Sequence, residues 1–274
     1  MNTRDKGLEN AVVNPSAQVI PDVQSSIDTR HIAIQSVGIR SVKYPVLIEL
    51  QGQKPMPSVA EFEMTVFLPA DQKGTHMSRF VALLEDSQGK VLTVAAFRAM
   101  LADMLTLLDA PSGRIKMSLP YFLSKVAPIS GVSSLMDYQL TLEGSANAQG
   151  QDIHLAVVVP VTSLCPCSKK ISDYGAHNQR SHVTARVQLK SDIDIAKLIQ
   201  AIEQQASCEL WGLLKRPDEK YVTERAYDNP KFVEDLVRDV AIALNKLEEI
   251  GQYTVEAENF ESIHNHSAYA RIDR

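Results

Sequence analysis

The sequence predicts an α+β fold in which the order strand-strand-helix-helix-strand-strand occurs twice. Several segments place apolar residues at every second position, which is typical of strands that lie on a core. Others place apolar residues three and four positions apart, as amphipathic helices do. The same order of segments resumes after a connection of small and polar residues at 144–150. The prediction rests on pattern alone, because no obvious sequence identity joins the two halves.

The first half is expected over 29–148, after a polar, proline-containing stretch at 1–28 that we interpret as a mobile tail. Its second helix has the clearer pattern, because Val94, Phe97 and Leu101 begin a single apolar stripe. Strands are predicted at 32–50, 59–69, 114–127 and 134–145, and helices at 76–86 and 93–108.

The second half is expected over 149–274. Its last helix carries the strongest local signals, since Asn229 suits an N-cap, Pro230 suits the first helical position and Gly251 suits a C-terminal cap. The charged segment 215–235 follows the first of the two helices of this half, and by itself it is typical of a solvated loop that leads to the second. Strands are predicted at 151–164, 182–190, 252–259 and 266–272, and helices at 193–210 and 230–249.

Composition excludes several classes of protein. The chain has 28 Lys+Arg against 33 Asp+Glu, so no global basic field indicates binding to nucleic acid or to an anionic membrane. No apolar run approaches the roughly 20 residues of a membrane-spanning helix, and the first residues lack the apolar stretch of a signal peptide. We therefore expect a cytoplasmic protein.

The residue types that favour chemistry concentrate at 160–182, where an apolar strand gives way to a polar loop. Cys165, Cys167 and His177 lie there, and thiolates and imidazoles are good ligands for zinc and similar divalent ions. The spacing of the two cysteines is tighter than that of structural zinc knuckles, and no second pair exists to complete a closed site. One thiol is then free for catalysis. The alternative is two unreactive loop cysteines beside a surface histidine.

Four further features are candidates for the same site. Glu219 could add an oxygen ligand and widen the choice of metal toward Mn²⁺ or Mg²⁺. His264 and His266 lie on one face if their segment is extended, and either could transfer protons or be a plain surface residue. Glu234 near the start of the last helix is explained by the helix dipole or by a role in binding. The turn at 74–79, which runs into a helix, suits an anion.

Taken together, five motifs resemble those of the type IB GTP cyclohydrolase I family, and the likeness spans roughly 30–272. They are GTHMSRF at 74–80, SLCPCSK at 163–169, YGAHNQRSH at 174–182, RPDEKYVTERAYDNPKFVED at 216–235 and SIHNHSAYA at 262–270. The resemblance implies a tunnelling fold with two ββααββ modules per chain. It also implies a homotetramer with active sites at subunit interfaces.

The reaction implied by the resemblance is the hydrolysis of GTP to 7,8-dihydroneopterin triphosphate and formate, which requires one divalent metal ion: Mn, Zn, Mg or Fe. Its implied ligands are Cys165, His177 and Glu219. Cys167 and His264, with His266 in reserve, would be catalytic, and Glu234 would anchor the guanine. The residues implied for gripping the rest of the substrate are His76, Ser78, Arg79, Lys169, Arg180, Arg216 and Arg225.

Two rival functions remain at this point. A related tunnelling-fold nitrile reductase of deazaguanine synthesis uses a nucleophilic cysteine and NADPH, and does not need the metal ligands. A non-catalytic purine- or pterin-binding protein would keep the anchor and lack turnover. The sequence also leaves open whether the product feeds tetrahydrofolate synthesis or modified tRNA bases, since both routes share this step.

Overall fold

The computed structural model describes residues 22–24 and 26–274, which form a mixed α+β structure built on a single sheet. Among these residues the strands are β1 (Ile34–Ile48), β2 (Met56–Leu68), β3 (Val91–Leu92), β4 (Gly113–Val126), β5 (Ser133–Asn147), β6 (Gly150–Leu164), β7 (Asn178–Leu189), β8 (Ile250–Asn259) and β9 (Ala268–Asp273). The helices are α1 (Met77–Ser87), α2 (Val94–Leu108), α3 (Pro166–Ile171), α4 (Ile195–Glu203), α5 (Arg216–Asp228) and α6 (Val233–Leu244).

The sheet runs in the order β3-β1-β2-β4-β5-β6-β7-β8-β9, so its two ends come from the two halves of the chain. Every neighbouring pair is antiparallel except β1 and β3, which are parallel. The strands β5 and β6 join the halves in the middle of the sheet. The predicted α+β class is therefore confirmed, as one continuous sheet.

One face of the sheet packs against helices. The buried residues of α1, α2, α4 and α6 form one continuous core with the inward residues of the strands. In α2 the predicted stripe is confirmed, since Val94, Phe97 and Leu101 are all buried. Thr93 begins this helix, and its Oγ1 accepts a hydrogen bond of 3.1 Å from the backbone N–H of Ala96.

The opposite face of the sheet is polar and carries ion pairs between strands that are adjacent or one strand apart. Glu143 on β5 lies 2.9 Å from Arg114 on β4 and 3.4 Å from Arg186 on β7. Toward the β9 end, Arg271 lies 2.8 Å from Glu256. Alternation along each strand thus sends apolar residues to the helices and charged residues to this face.

The end signals predicted for the last helix are wrong. The helix begins after Phe232, whose backbone N–H donates to Asp235 at 3.3 Å. Asn229 instead ends α5, and its side-chain amide donates to the carbonyl of Ala206 at 2.8 Å, so it is not available as an N-cap. The helix ends at Leu244, and Gly251 lies inside β8.

The segment 215–235 was predicted to begin as a solvated loop, and this prediction is wrong as well, because α5 occupies 216–228. The short elements α3 and β3 were also missed, and α4 ends at Glu203, well before the predicted boundary at 210.

The described part of the predicted tail packs against the segment that precedes α1. The backbone N–H of Gly74 donates to Gln24 and that of Lys73 donates to Ser26, each at 3.1 Å. The rest of the predicted tail, 1–21 and residue 25, lies outside the described residues. None of the helices that the structure describes is long and apolar enough to cross a membrane.

Candidate functional site

Cys165 and His177 lie side by side where β6 ends and β7 begins. The last paired residues of the two strands are Leu164 and Asn178. Cys165 follows Leu164 and His177 precedes Asn178, so Cys165 and His177 lie opposite each other. The backbone N–H of Cys165 donates to the carbonyl of His177 at 3.1 Å. The sequence prediction that the thiol and the imidazole meet is consistent with this register.

Ser168 in the first turn of α3 holds the two residues together. Its hydroxyl donates to the carbonyl of Cys165 and accepts from the N–H of His177, both at 3.2 Å. Its own N–H donates to the Cys165 sulfur at 3.4 Å, so Cys165 is the N-cap of α3. Cys165 is half-buried and Cys167 is exposed. The first sulfur is therefore fixed in place, while the second faces outward.

The His177 ring is oriented by Gln179, a buried residue two positions along β7. The His177 Nδ1 lies 3.1 Å from the Gln179 side-chain oxygen, which can only accept a hydrogen bond. This contact is a hydrogen bond in the tautomer that carries its proton on Nδ1, and in that tautomer Nε2 keeps its lone pair for a metal ion. Ser262 also approaches Nδ1, at 3.5 Å.

The contact with Ser262 brings the segment between β8 and β9 to this site. His264 and His266 lie in that segment, and their exposed rings are stacked with centroids 5.0 Å apart and planes 13° apart. His264 follows Ser262 by two residues. The predicted proton-transfer histidines thus come from the same end of the sheet as Cys165 and His177.

Helix α5 is attached to the end of β6 by a small apolar cluster of Leu164, Cys208 and Ala226. Glu219 lies about two helical turns before Ala226 and so projects from nearly the same face of α5. Burial, with a contribution from Glu209, raises the pKa of the Cys208 thiol to about 11. Cys208 is therefore a packing residue and offers no third reactive thiol.

Asp218, next to Glu219, is completely buried. Its carboxylate accepts hydrogen bonds from Ser130, from the N–H of Ile129 and from the N–H of Lys215. Burial opposes its ionisation, but these hydrogen bonds, led by that of the Ser130 hydroxyl, outweigh burial and hold its pKa well below the ordinary value.

Cys165 and His177 are not joined by a third possible ligand among the described residues. Across residues 22–24 and 26–274, no three His, Cys, Asp or Glu side chains are placed to share an ion. Glu219 is exposed and makes no side-chain hydrogen bond or ion pair to the described residues. The ligand set of Cys165, His177 and Glu219 stays a prediction.

Glu234 lies in the first turn of α6 and is exposed. Lys231, two residues before this helix starts, is joined to the same strand end, since its N–H donates to the carbonyl of Leu164 at 3.1 Å. Helices α3, α5 and α6 therefore all start or pack at the end of β6.

The basic residues proposed for substrate binding differ in whether their side chains already have partners. Arg225 forms a two-pronged ion pair with Glu209, with both N–O distances 3.0 Å. Lys169 donates to the carbonyl of Tyr227, and its ammonium lies 4.2 Å from the centre of that ring. Arg180 and Arg216 are exposed and make no side-chain hydrogen bond or ion pair within the described chain.

The group predicted at the start of α1 lies apart from these residues. His76 is 3.3 Å from Asp22, Arg79 donates to the carbonyl of Leu107 at 2.9 Å, and Ser78 is exposed. No hydrogen bond or ion pair between described residues joins this group to Cys165 or α5.

Sequence reasoning missed Ser168, Gln179 and Asp218. Strand alternation offered a signal for Gln179, because a residue two positions from His177 points to the same side of β7. For Asp218 the sequence holds no signal, since most of its partners lie in the other half of the chain.

A model of the family described as type I GTP cyclohydrolase folE2 matches residues 20–270 of this chain. The chain is 61% identical over 262 residues to "GTP cyclohydrolase FolE2" of Burkholderia ambifaria, covering 96% of this chain and 97% of that protein. It is 62% identical to the protein of that name from Paraburkholderia xenovorans, with the same coverage.

Among solved structures, the chain resembles uricase from Arthrobacter globiformis, with a TM-score of 0.49 and 10% sequence identity. The alignment covers 88% of this chain and 93% of that one. A likeness at this level says nothing about the reaction.

Proposed function

The chain belongs to the type I GTP cyclohydrolase family described as FolE2, and from this membership we propose how its side chains open the imidazole ring of GTP. The protein is a GTP cyclohydrolase I, which converts GTP and water to 7,8-dihydroneopterin triphosphate and formate, a step of the folate pathway. The observation that carries this function is identity of 61% over 96% of the chain.

The proposed metal ligands are Cys165, His177 and Glu219. The fit is supported by the fixed sulfur of Cys165 and by the Gln179 contact that leaves Nε2 of His177 free. Thiolate, imidazole and carboxylate together suit Zn²⁺, Fe²⁺ or Mn²⁺, while Mg²⁺ prefers oxygen ligands. When bound, such a cation supplies Lewis-acid activation for the addition of water to C8 of the purine.

The proposed catalytic groups are Cys167, as the catalytic thiol, and His264, as the proton-transfer residue. Cys167 is exposed two residues beyond the fixed Cys165, so its thiol is free to reach a substrate. His264 would protonate the ring nitrogen as the bond to C8 breaks, and His266, stacked on it, would serve in reserve.

Substrate recognition is proposed to depend on Glu234. A carboxylate accepts two hydrogen bonds, which matches the N1–H and exocyclic amine of guanine and discriminates against adenine. For the triphosphate, Arg216 and Arg180 are the strongest candidates, because their guanidinium groups have no partner within the described chain. Lys169 is the next candidate, and His76, Ser78 and Arg79 would act from a neighbouring subunit.

The complete site is proposed to form between subunits of a homotetramer. Glu219, Glu234 and His264 are exposed in the single chain, although they would have to share one enclosed substrate. The halves that meet at β5 and β6 would be the two modules of a tunnelling fold, and the outer edge of β9 is one place for a neighbouring chain to pair.

The test is to incubate the purified, metal-free chain with GTP and each of Mn²⁺, Zn²⁺, Fe²⁺ and Mg²⁺. We expect formate and, after oxidation, a fluorescent pterin in equal amounts, at a rate that depends on the ion added. NADPH consumption without pterin would overturn the assignment. Light scattering of the same sample measures the subunit number, for which we expect four.

A further inference from the structure

The start of α5 is held by a carboxylate whose partners lie mostly in the other half of the chain. Asp218 Oδ1 accepts from the N–H groups of Ile129 and Ser130 at 2.8 and 2.9 Å. Its Oδ2 accepts from the Ser130 hydroxyl at 2.6 Å and from the N–H of Lys215 at 2.8 Å. Only the last of these bonds is the ordinary cap of a helix start.

The turn that provides the other three bonds is itself well defined. It connects β4 to β5, and the N–H of Ala127 donates to the carbonyl of Val132 at 2.9 Å. Gly131 within it has a φ of +70°, which a side chain rarely permits. Asp218 is therefore hydrogen-bonded to a turn whose backbone conformation is itself held by hydrogen bonding.

The loop that leads into α5 follows the same hairpin. Trp211 Nε1 donates to the carbonyl of Val126 at 3.0 Å, and the Lys125 ammonium donates to the carbonyl of Leu210 at 2.6 Å. At Gly212 an added Cβ would lie 2.4 Å from the carbonyl oxygen of Leu135. Asp218 is the last of these attachments along the chain and the one nearest to Glu219.

The Glu219 side chain is not held in place by any described residue. Its exposed carboxylate makes no side-chain hydrogen bond or ion pair within the described residues, so its location is set by the backbone that carries it. The neighbouring residue along that backbone is the one with four hydrogen bonds. A shift at Asp218 would therefore move Glu219 directly.

We propose that Asp218 is a positioning residue for metal binding: through its hydrogen bonds to Ile129 and Ser130 it places the Glu219 carboxylate where that group can complete the site. This inference rests on the proposed function, in which Glu219 is a metal ligand. It assigns the β4–β5 turn a part in an active site to which it contributes no ligand.

The test measures the Mn²⁺ affinity of the metal-free full-length oligomer by competition with a chelator, together with its thermal midpoint. In Asp218→Asn one oxygen becomes an amide donor that faces N–H donors, and we expect affinity to fall by about tenfold or more, as for other residues that support metal ligands. Ser130→Ala removes one of the four hydrogen bonds to Asp218, together with a long bond of 3.4 Å from the N–H of Val132, and we expect a smaller loss of about threefold. This milder variant keeps the test decisive if Asp218→Asn does not fold.

Thr93→Ala is the matched control, because it removes a helix cap from α2, which carries no proposed ligand. We expect it to lower the thermal midpoint and leave Mn²⁺ affinity unchanged. A double variant then separates positioning from general stability. If Asp218 acts through Glu219, then Asp218→Asn/Glu219→Gln binds Mn²⁺ as weakly as Glu219→Gln alone.

Two results would overturn the inference in distinguishable ways. If Glu219→Gln weakens Mn²⁺ binding but Asp218→Asn and Ser130→Ala bind like the unmodified chain, or if the losses simply add, the ligand assignment stands and the positioning role fails. If Glu219→Gln binds Mn²⁺ normally, the ligand assignment itself is wrong, and the positioning role falls with it.

Discussion

The backbone N–H of Cys165 donates to the carbonyl oxygen of His177 across 3.1 Å, which places a thiol and an imidazole on adjoining strand ends. This bond makes their proximity a property of the β6–β7 pairing and not of a flexible loop. If the two side chains bind an ion, as we propose, they need little rearrangement to do so, and small changes in ring orientation should be measurable in metal affinity.

The orientation of His177 depends on Gln179. In Gln179→Leu the acceptor for Nδ1 is lost, and we expect divalent-metal affinity to fall by about 10- to 100-fold. Chelator competition on the metal-free protein measures this. Gln179→Glu keeps an acceptor at the same position and should bind at least as well as the unmodified chain; equal affinities for Leu and Gln at 179 would remove the contact from the site.

The exposed thiol of Cys167 should differ from the buried thiol of Cys208 in its effect on turnover. Cys167→Ala is expected to reduce the rate of pterin formation by at least about a hundredfold, because the catalytic thiol is lost, with metal content and circular dichroism unchanged. Cys208→Ala, in the buried position, is the control and should retain activity. Full activity in Cys167→Ala would exclude that thiol from the mechanism.

Glu234→Ala is expected to raise the dissociation constant of a non-hydrolysable GTP analogue by about a hundredfold, because two hydrogen bonds to guanine are lost at a charged acceptor. Calorimetry on the metal-loaded oligomer measures this change. Glu248→Ala changes an exposed glutamate just beyond the same helix and should bind normally. Unchanged affinity in Glu234→Ala would end the anchor assignment.

Arg216 and Arg225 should separate substrate binding from stability. Arg216→Ala removes an exposed guanidinium that has no partner in the described chain, so we expect KM for GTP to rise about tenfold with an unchanged thermal midpoint. Arg225→Met leaves the mostly buried Glu209 carboxylate unpaired, at a cost of about 1–3 kcal/mol in the free energy of unfolding. If Arg225→Met raised KM and Arg216→Ala lowered the thermal midpoint, then Arg225 would be the substrate-binding residue and Arg216 the structural one.

Acidification should reveal His154 on the polar face of the sheet. Burial first, and then Arg186, lowers its pKa from 6.5, against the opposite effects of Asp152 and Glu143. Because folding favours the neutral ring, the unfolded chain takes up the proton first as pH falls below about 6.5. The free energy of unfolding is therefore highest above that pH and decreases toward the lowered folded-state pKa.

In His154→Gln this decrease between pH 7 and pH 5 should be smaller, as measured by urea denaturation at several pH values. It should not vanish, since burial and Arg180 lower the pKa of His182 in the same direction. His31→Gln, at an exposed position, serves as the control. Identical pH profiles for His154→Gln and the unmodified chain would contradict the assignment.

Much of the fold could be predicted because its cause is local. In α2 and β6 nearly all of the buried residues are apolar, so the sequence pattern shows directly which positions face the core. Both elements begin and end close to the predicted residues. Helix α5 could not be predicted in this way. Its only buried residues are Asp218 and Ala226, so its sequence lacks an apolar stripe, and its start is fixed by a turn in the other half of the chain.

The site divides along the same line. Cys165 and His177 could be grouped from sequence because a thiol and an imidazole lie in one polar stretch after a strand. The register that sets them across from each other was not predicted, since β7 begins at Asn178 and not at 182. The position of Glu219 could not be predicted, because it depends on the attachment of α5 and on whatever chain faces it in the assembly. The wrong prediction of Asn229 as an N-cap has a similar origin, because its side-chain amide donates to the carbonyl of Ala206, a contact that is distant in sequence.

The hold of Asp218 on the β4–β5 turn also limits how this chain can be divided. If the polypeptide were cut at the connection between β5 and β6, Asp218 in the second fragment would lose three of its four hydrogen bonds, and the turn in the first fragment would lose its acceptor. The two halves look like separable repeats in element order, yet separating them would break this junction together with the β5–β6 pairing.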